Sequence, residues 1–364
     1  MPKTQPEYVG FGMLTPVEIM VLEKLPKHNT GAIVTEVNEF VFDDAAIVAC
    51  LLRQWDVSAG MIGTAVGDDL RGHALAKRLK DWGVQGKVRF TKEYKTPLEV
   101  NVSDRKGART YFWQRTPQIL STLDTADLSL IRGSKVLYVD WYDGDYVLRA
   151  INEANRLKVP VFVNLEHGHR YSDILRKYAQ RATFCQAVTD AAQLGGKRAL
   201  IGTARKLLKS GIETAIITLA KGGCLVAQGE QIVRVFAPHV KAVDACGAGA
   251  TFSAGFIYGY LKSWDLEQSA RFATAAATLK VTRAGLQMFT VEEILELASR
   301  LKVEHWAFKN NRFEIIDRIM SIPRQVAEQS ERARRKILQE LRIPQKQPPR
   351  KTEHLHVKPK RRAV

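Results

Sequence analysis

The 364-residue chain carries 45% hydrophobic and 26% charged residues with a formal net charge of +17. This composition excludes a disordered chain and leaves room for one large α/β domain with attachments, or for two modest domains. No run of about eighteen apolar residues occurs, and the amino terminus (MPKTQPEYVG) lacks the basic region and apolar core of a secretory signal, so neither a membrane span nor a signal peptide is expected.

Cys50, Cys185, Cys224 and Cys246 lie far apart, in no CxxC or Cys/His spacing. They read as buried thiols of a reducing, cytoplasmic compartment rather than as zinc ligands. In chain order, GAIVTEVNEFVF is strand-rich and precedes the helix DDAAIVACLLRQW, which suggests part of a small β-lid. The stretch from Lys87 to Gln114 alternates on either side of the turn-rich SDRKG and reads as an antiparallel hairpin outside the main sheet. Within it Tyr111 and Trp113 are expected to pack the lid, since strand aromatics usually bury against a neighbour, with lining of a cleft as the alternative. KVLYVDW, YVLRAINEANRLK and VPVFVNLE then run strand, helix, strand, and ARKLLKSG before ETAIITLA repeats the pattern. Strands alternating with amphipathic helices imply crossover connections and a doubly wound, mainly parallel α/β sheet covered on both faces. His167 and His169, in EHGHR, flank a single residue of a loop and do not read as a metal pair.

Ligands of open parallel sheets gather at the carboxyl ends of the strands. The segment VRVFAPHVKAV, the turn Asp244 to Gly249 and the helix ATFSAGFIYGYLKSW fit that placement. Small residues at Gly247, Ala248 and Gly249 let backbone N–H groups approach an anion, and the helix amino terminus adds a favourable partial charge. Gly at such a corner can also be purely geometric.

The charge is uneven, because thirteen Lys/Arg against four Asp/Glu lie between Arg324 and Val364. EQSERARRKILQEL is helix-compatible, and the Pro-, Lys- and Arg-rich remainder is expected to be extended or disordered. Such a tail can bind nucleic acid or another acidic partner through counterion release, or serve only as a solubilising appendage. The expected organisation is an α/β domain over 1–305 with lid strands near 30–43 and 88–115, a helical extension over 306–345 and a basic disordered tail over 346–364.

Four motifs in order resemble the ribokinase-like (PfkB) family of sugar kinases: MIGTAVGDDLRGHALAKRLKDWGV, IITLAKGGCLV, VDACGAGATFSAGF and FATAAATLKVTRAGLQ. The resemblance implies ATP-dependent transfer of a phosphoryl group to a hydroxyl of a sugar or nucleoside, with magnesium, a monovalent cation and a homodimer formed through the lids. It implies an anion hole at Gly247, Ala248 and Gly249, and nucleotide contacts from Thr218, Gly223, Thr274 and Gly249. Substrate positions fall on Thr15, Asp43, Asp44, Ile47 and Arg115. Asp244 would hold the monovalent cation or simply cap the loop, and Asp190 would act on magnesium through water. Arg283 would approach the nucleotide or bind a helix end.

Several positions depart from the family pattern. Ala250 stands where the family carries the aspartate that takes the hydroxyl proton, and a methyl group accepts none. Phe42 and Ile47 replace residues that leave room for, or bond to, a sugar; Ala187 and Ala220 replace an asparagine and a glycine. These losses imply a pseudokinase or a severely impaired kinase that keeps nucleotide binding. The alternatives are an active kinase, with Asp43 or Asp44 as substitute base, or an inactivated variant of one.

Overall fold

The computed structural model describes residues 5–104, 109–189, 196–286 and 289–308, with the backbone alone at 40–42. Asp190, the side chain of Phe42 and the tail beyond 308 therefore lie outside the described residues.

The chain begins with β1 (Tyr8–Gly12), β2 (Thr15–Leu22), β3 (Val34–Phe42), α1 (Asp44–Gln54), β4 (Ala59–Gly63), β5 (Val66–Gly67) and α2 (Leu70–Asp81). Next come β6 (Phe90–Thr91), β7 (Glu99–Asp104), β8 (Arg109–Phe112), the short α3 (Pro117–Leu120), β9 (Val136–Asp140), α4 (Leu148–Arg156) and β10 (Val161–Glu166). The third part holds α5 (Ser172–Ala179), β11 (Phe184–Val188), α6 (Lys197–Lys209), β12 (Thr214–Thr218), β13 (Cys224–Gln228) and β14 (Gln231–Val235). It closes with α7 (Ala248–Leu261), α8 (Leu266–Lys280), α9 (Val291–Ser299) and β15 (Val303–Ala307).

Nine strands form the main sheet in the order β15-β14-β13-β12-β11-β10-β9-β1-β4. From β4 to β12 every neighbouring pair is parallel, and the edge from β12 to β15 is antiparallel. The doubly wound, mainly parallel sheet expected from the sequence is present. Its cause is visible in the central strands, which are apolar on both faces. Val9, Leu137, Val139, Val161 and Val163 pack against α4, α5 and α6, while Tyr8, Val136, Tyr138 and Phe162 pack against α1, α7 and α8. Because β15 pairs with β14 through Ala307, the sheet continues past residue 305, where the sequence reading had ended the domain.

A second sheet, ordered β3-β2-β7-β8, forms the lid. Its β7–β8 hairpin is antiparallel, and β2 pairs in parallel with β7. The short β5–β6 pair stands apart from it. Phe112 and Trp113 are 56% and 62% exposed, so packing of the lid does not account for Trp113. The strand ends there and turns the ring to solvent.

Two helices place the loop of interest. α7 is apolar on nearly every side and is buried from Ala250 to Gly259. α8 opens with a capping box between Asp265 and Gln268 and lies unusually close to α7. A Cβ at Gly255 would come within 2.7 Å of Ala273 Cα, and one at Gly259 within 2.5 Å of Ser269 Oγ. This seam fixes the carboxyl end of α8 beside the loop that leads into α7.

Candidate active site

The turn Asp244–Gly247 delivers the chain to the amino terminus of α7. Gly247 takes φ 72° as the N-cap and contributes no side-chain cap to the first turn. The early N–H groups of a helix have no intrahelical acceptor, so this end offers donors and the positive pole of a fourteen-residue helix. Gly249 is anchored from behind, its carbonyl accepting from Gln186 Nε2 (3.3 Å) and Ser253 Oγ (3.1 Å).

Asp244 is completely buried, and its carboxylate is saturated. It accepts from Ser103 Oγ at 2.9 Å, Cys246 N at 2.8 Å, Gly285 N at 3.2 Å and Lys280 Nζ at 3.0 Å. The lid takes part in this arrangement: Ser103 lies on β7, Asn101 Nδ2 reaches Cys246 Sγ at 3.0 Å, and Arg109 Nη1 donates to Ala245 O at 2.8 Å. Of the two roles the sequence left open for Asp244, loop capping is realised. The ammonium of Lys280 supplies the positive charge beside this carboxylate.

A different chemistry gathers at the amino terminus of α1 and the ends of β9 and β10. Asp43 caps α1 by accepting from Asp44 N at 2.7 Å and also accepts from Tyr142 Oη at 2.7 Å. Arg115, which enters from the lid side, pairs with Asp43 at 3.3 Å and with Asp143, and its guanidinium lies over the Tyr142 ring. Asn164 Nδ2 is shared between Asp44 (3.3 Å) and Asp140 (3.0 Å), and Tyr138 Oη adds a bond to Asp140. Asp140 Oδ2 has no hydrogen-bond partner among the described residues.

Burial dominates the electrostatics of this end. It pushes Asp44 and Asp140 well above the usual carboxylate range, and the neighbouring Asp43 adds to both shifts. It pushes Glu99 to about 7, again helped by Asp43, and Asp143 to about 7 against the opposing pull of Arg115. Glu166 is raised for the same reasons, and its backbone sits at φ 42°, ψ −121°, where the β10–β11 register shifts. A non-glycine residue in that region stores strain of about 1–3 kcal/mol.

The remaining sequence-derived positions divide. Thr218 closes β12 with its hydroxyl bonded to Ala187 O at 3.3 Å, and Gly223 has φ 91° with no room for a Cβ, which would lie 2.3 Å from Val235 O. Ala220, three residues earlier, holds φ 46°. Thr274 is not placed for a nucleotide: it is buried inside α8, its hydroxyl donating to Ala270 O (2.8 Å) and touching Cys224 Sγ (3.3 Å). Ile47 is likewise a core residue with no exposed surface. Thr15 spends its hydroxyl proton on Pro97 O and Pro16 O. Ala250 is fully buried at the first turn of α7. Arg283 lies over the Phe289 ring and gives its carbonyl to Lys280.

Sequence reasoning had not marked Asp140, Asp143, Asn164, Glu166 or Lys280. Asp140 and Glu166 terminate parallel strands, which is the signal that would have found them. Among the described residues, no group of three or more His, Cys, Asp or Glu is arranged to hold a metal ion.

An α/β sheet with a strand-built lid and a glycine turn opening a buried helix defines a class of phosphotransferase scaffold. Residues 44–293 match the model of the pfkB family carbohydrate kinases, and the chain belongs to that family. It is 24% identical over 240 residues to an uncharacterized sugar kinase of Archaeoglobus fulgidus, covering 64% of this chain and 95% of the relative. It is also 24% identical over 280 residues to a nucleoside kinase of Methanothermobacter thermautotrophicus, covering 74% and 87%. The structure resembles that of Arabidopsis thaliana ribokinase complexed with ribose and ATP, with TM-score 0.65, 19% identity and coverage of 81% and 99%.

Proposed function

We propose that this chain is a nucleotide-binding sugar or nucleoside kinase homologue whose phosphoryl-transfer step is impaired, because Ala250 occupies the position of the general base. The observation that carries this reading is the first turn of α7. Gly247, Ala248 and Gly249 open the helix without a side-chain cap, the Ala248 N–H bonded only at 3.3 Å to Ala245 O, which suits phosphate, while the next residue has only a methyl group. Phosphoryl transfer needs positioning, charge stabilisation and a proton acceptor. The first two are provided by loop amides and the helix pole, and the third is missing.

In this reading Thr218 and Gly223 border the nucleotide and Gly249 meets its phosphates. Magnesium enters with the β- and γ-phosphates of ATP. Arg115 and Asp43 hold the substrate side, and Asp44 adds a second carboxyl there. The exposed lid residues Val37, Phe112 and Trp113 favour a homodimer through the lids. The basic tail beyond Arg324 favours salt-sensitive binding of nucleic acid.

One observation favours the active-kinase alternative. Glu166 ends the central strand β10 in a strained backbone, and its carboxyl is raised by burial and by Asp43 against the pull of Arg109 and Arg115. The test is ATP consumption against a panel of sugars and nucleosides, with ATP binding measured by calorimetry. The unmodified chain is expected to bind ATP and turn over slowly; Ala250→Asp is expected to raise the rate by about 10²–10⁴-fold. Robust turnover that collapses in Glu166→Gln would instead establish the alternative.

A further inference from the structure

Lys280 is the last residue of α8, a helix otherwise made of small and apolar residues at its carboxyl end (FATAAATLK). Its side chain is 2% exposed, and the paired Asp244 side chain is fully buried. The ammonium has three protons to donate and finds three oxygens. They are Asp244 Oδ2 at 3.0 Å, the backbone carbonyl of Asp244 at 3.2 Å and the backbone carbonyl of Arg283 at 3.3 Å. One carboxylate oxygen and two carbonyl oxygens converging on a positive centre form a donor set of the kind that strips a monovalent cation of water.

Further contacts tie this cage to the anion loop. Val243 N and Asp244 N both donate to Val281 O, at 2.7 and 3.3 Å, which fastens the start of the loop to the end of α8. Asp244 Oδ1 accepts from Cys246 N and from Ser103 Oγ of the lid, so the ammonium, the carboxylate, the turn before Gly247 and the lid form one connected network. Removing the charge would leave Asp244 buried without its counterion, a change that costs much more than loss of an ordinary hydrogen bond.

We propose that Lys280 is a tethered monovalent cation. Its ammonium fills a cation site that would otherwise bind an exchangeable ion, and so holds the Asp244–Gly249 loop in its anion-receiving shape regardless of the salt present. The link to anion binding rests on the nucleotide reading above, whereas the cation site itself does not.

The experiment compares the full chain with Lys280→Ala in choline, sodium, potassium and ammonium chloride at equal ionic strength, reading the melting temperature and the ATP affinity. The unmodified chain is expected to melt at the same temperature and bind ATP equally in all four. Lys280→Ala is expected to melt lower in choline and to recover, saturably, in potassium or ammonium, as a ligand that binds only the folded state requires. Its ATP affinity should fall about tenfold in choline and return with the same ions. Lys280→Met, which fills the space without charge, should show no ion-specific recovery.

A potassium requirement in the unmodified chain would overturn the proposal. So would a Lys280→Ala chain that responds to the cations no differently from the unmodified one, or that fails to fold in every salt. If the unmodified chain binds no ATP under any condition while the melting temperatures follow the expected pattern, the nucleotide reading falls and the tethered cation stands.

Discussion

The anion loop and the cluster around Arg115 handle buried charge in opposite ways. At the anion loop one carboxylate, Asp244, meets one ammonium, Lys280, and all its other contacts are N–H or O–H donors. The helix pole beside it is left unopposed. At the substrate end a single guanidinium, Arg115, serves both Asp43 and Asp143, and Asp44, Asp140, Glu99 and Glu166 are pushed toward their protonated forms. One end neutralises a single carboxylate beside a helix pole, and the other crowds several carboxyls around one guanidinium.

The strongest way to break this contrast is to remove Arg115, which bridges Asp43 and Asp143. Arg115→Met leaves Asp43 and Asp143 buried without a counterion and is expected to destabilise the chain by about 3–5 kcal/mol, read by denaturant unfolding. Combining it with Asp143→Asn should return part of that loss. A melting curve unchanged by Arg115→Met would show that the pair is not the latch between lid side and body.

pH sharpens the contrast on a smaller scale. Glu99 and Asp143 have folded-state values raised to about 7, above their unfolded values. Their contribution to stability is therefore complete below about pH 4 and is lost as pH rises through about 7. The melting temperature should fall between pH 5 and pH 8, and Glu99→Gln should flatten that slope. A slope that is unaffected by Glu99→Gln would remove Glu99 from the account.

The smallest expected effect lies in the turn after β12, where Ala220 holds φ 46°. Ala220→Gly relieves a left-handed conformation that costs an L-residue about 1–2 kcal/mol, and returns part of this as backbone entropy. A gain of less than about 1 kcal/mol is expected by chemical denaturation. A loss would mean that the alanine methyl makes a packing contact of its own.

The sheet was legible because central strands covered on both faces must be apolar throughout, and VLYVD and VFVNL are. The loop was legible for a similarly local reason: small residues at a strand-to-helix corner leave a mark in sequence. The site around Arg115 was only half legible. Asp43, Asp44 and Arg115 could be named, but their partners Tyr142, Asn164 and Asp143 lie 99, 120 and 28 residues away, and no local pattern records that meeting. Thr274 and Ile47 show the opposite limit. Their alignment with functional positions was local, but helix rotation turns Ile47 into the core and Thr274 onto Cys224. Lys280 was overlooked because a lone lysine at the end of a helix ordinarily reads as a solvated charge favoured by the helix dipole.

The close seam between α7 and α8 gives that lysine a consequence of its own. A free ion can drift to follow its ligands when the surrounding backbone breathes, but an ammonium on a side chain reaches only as far as its helix allows. By drawing α8 against α7 at Gly255 and Gly259, the fold makes interhelical spacing a control on the shape of the loop. Sensitivity to the salt outside has been exchanged for sensitivity to packing inside.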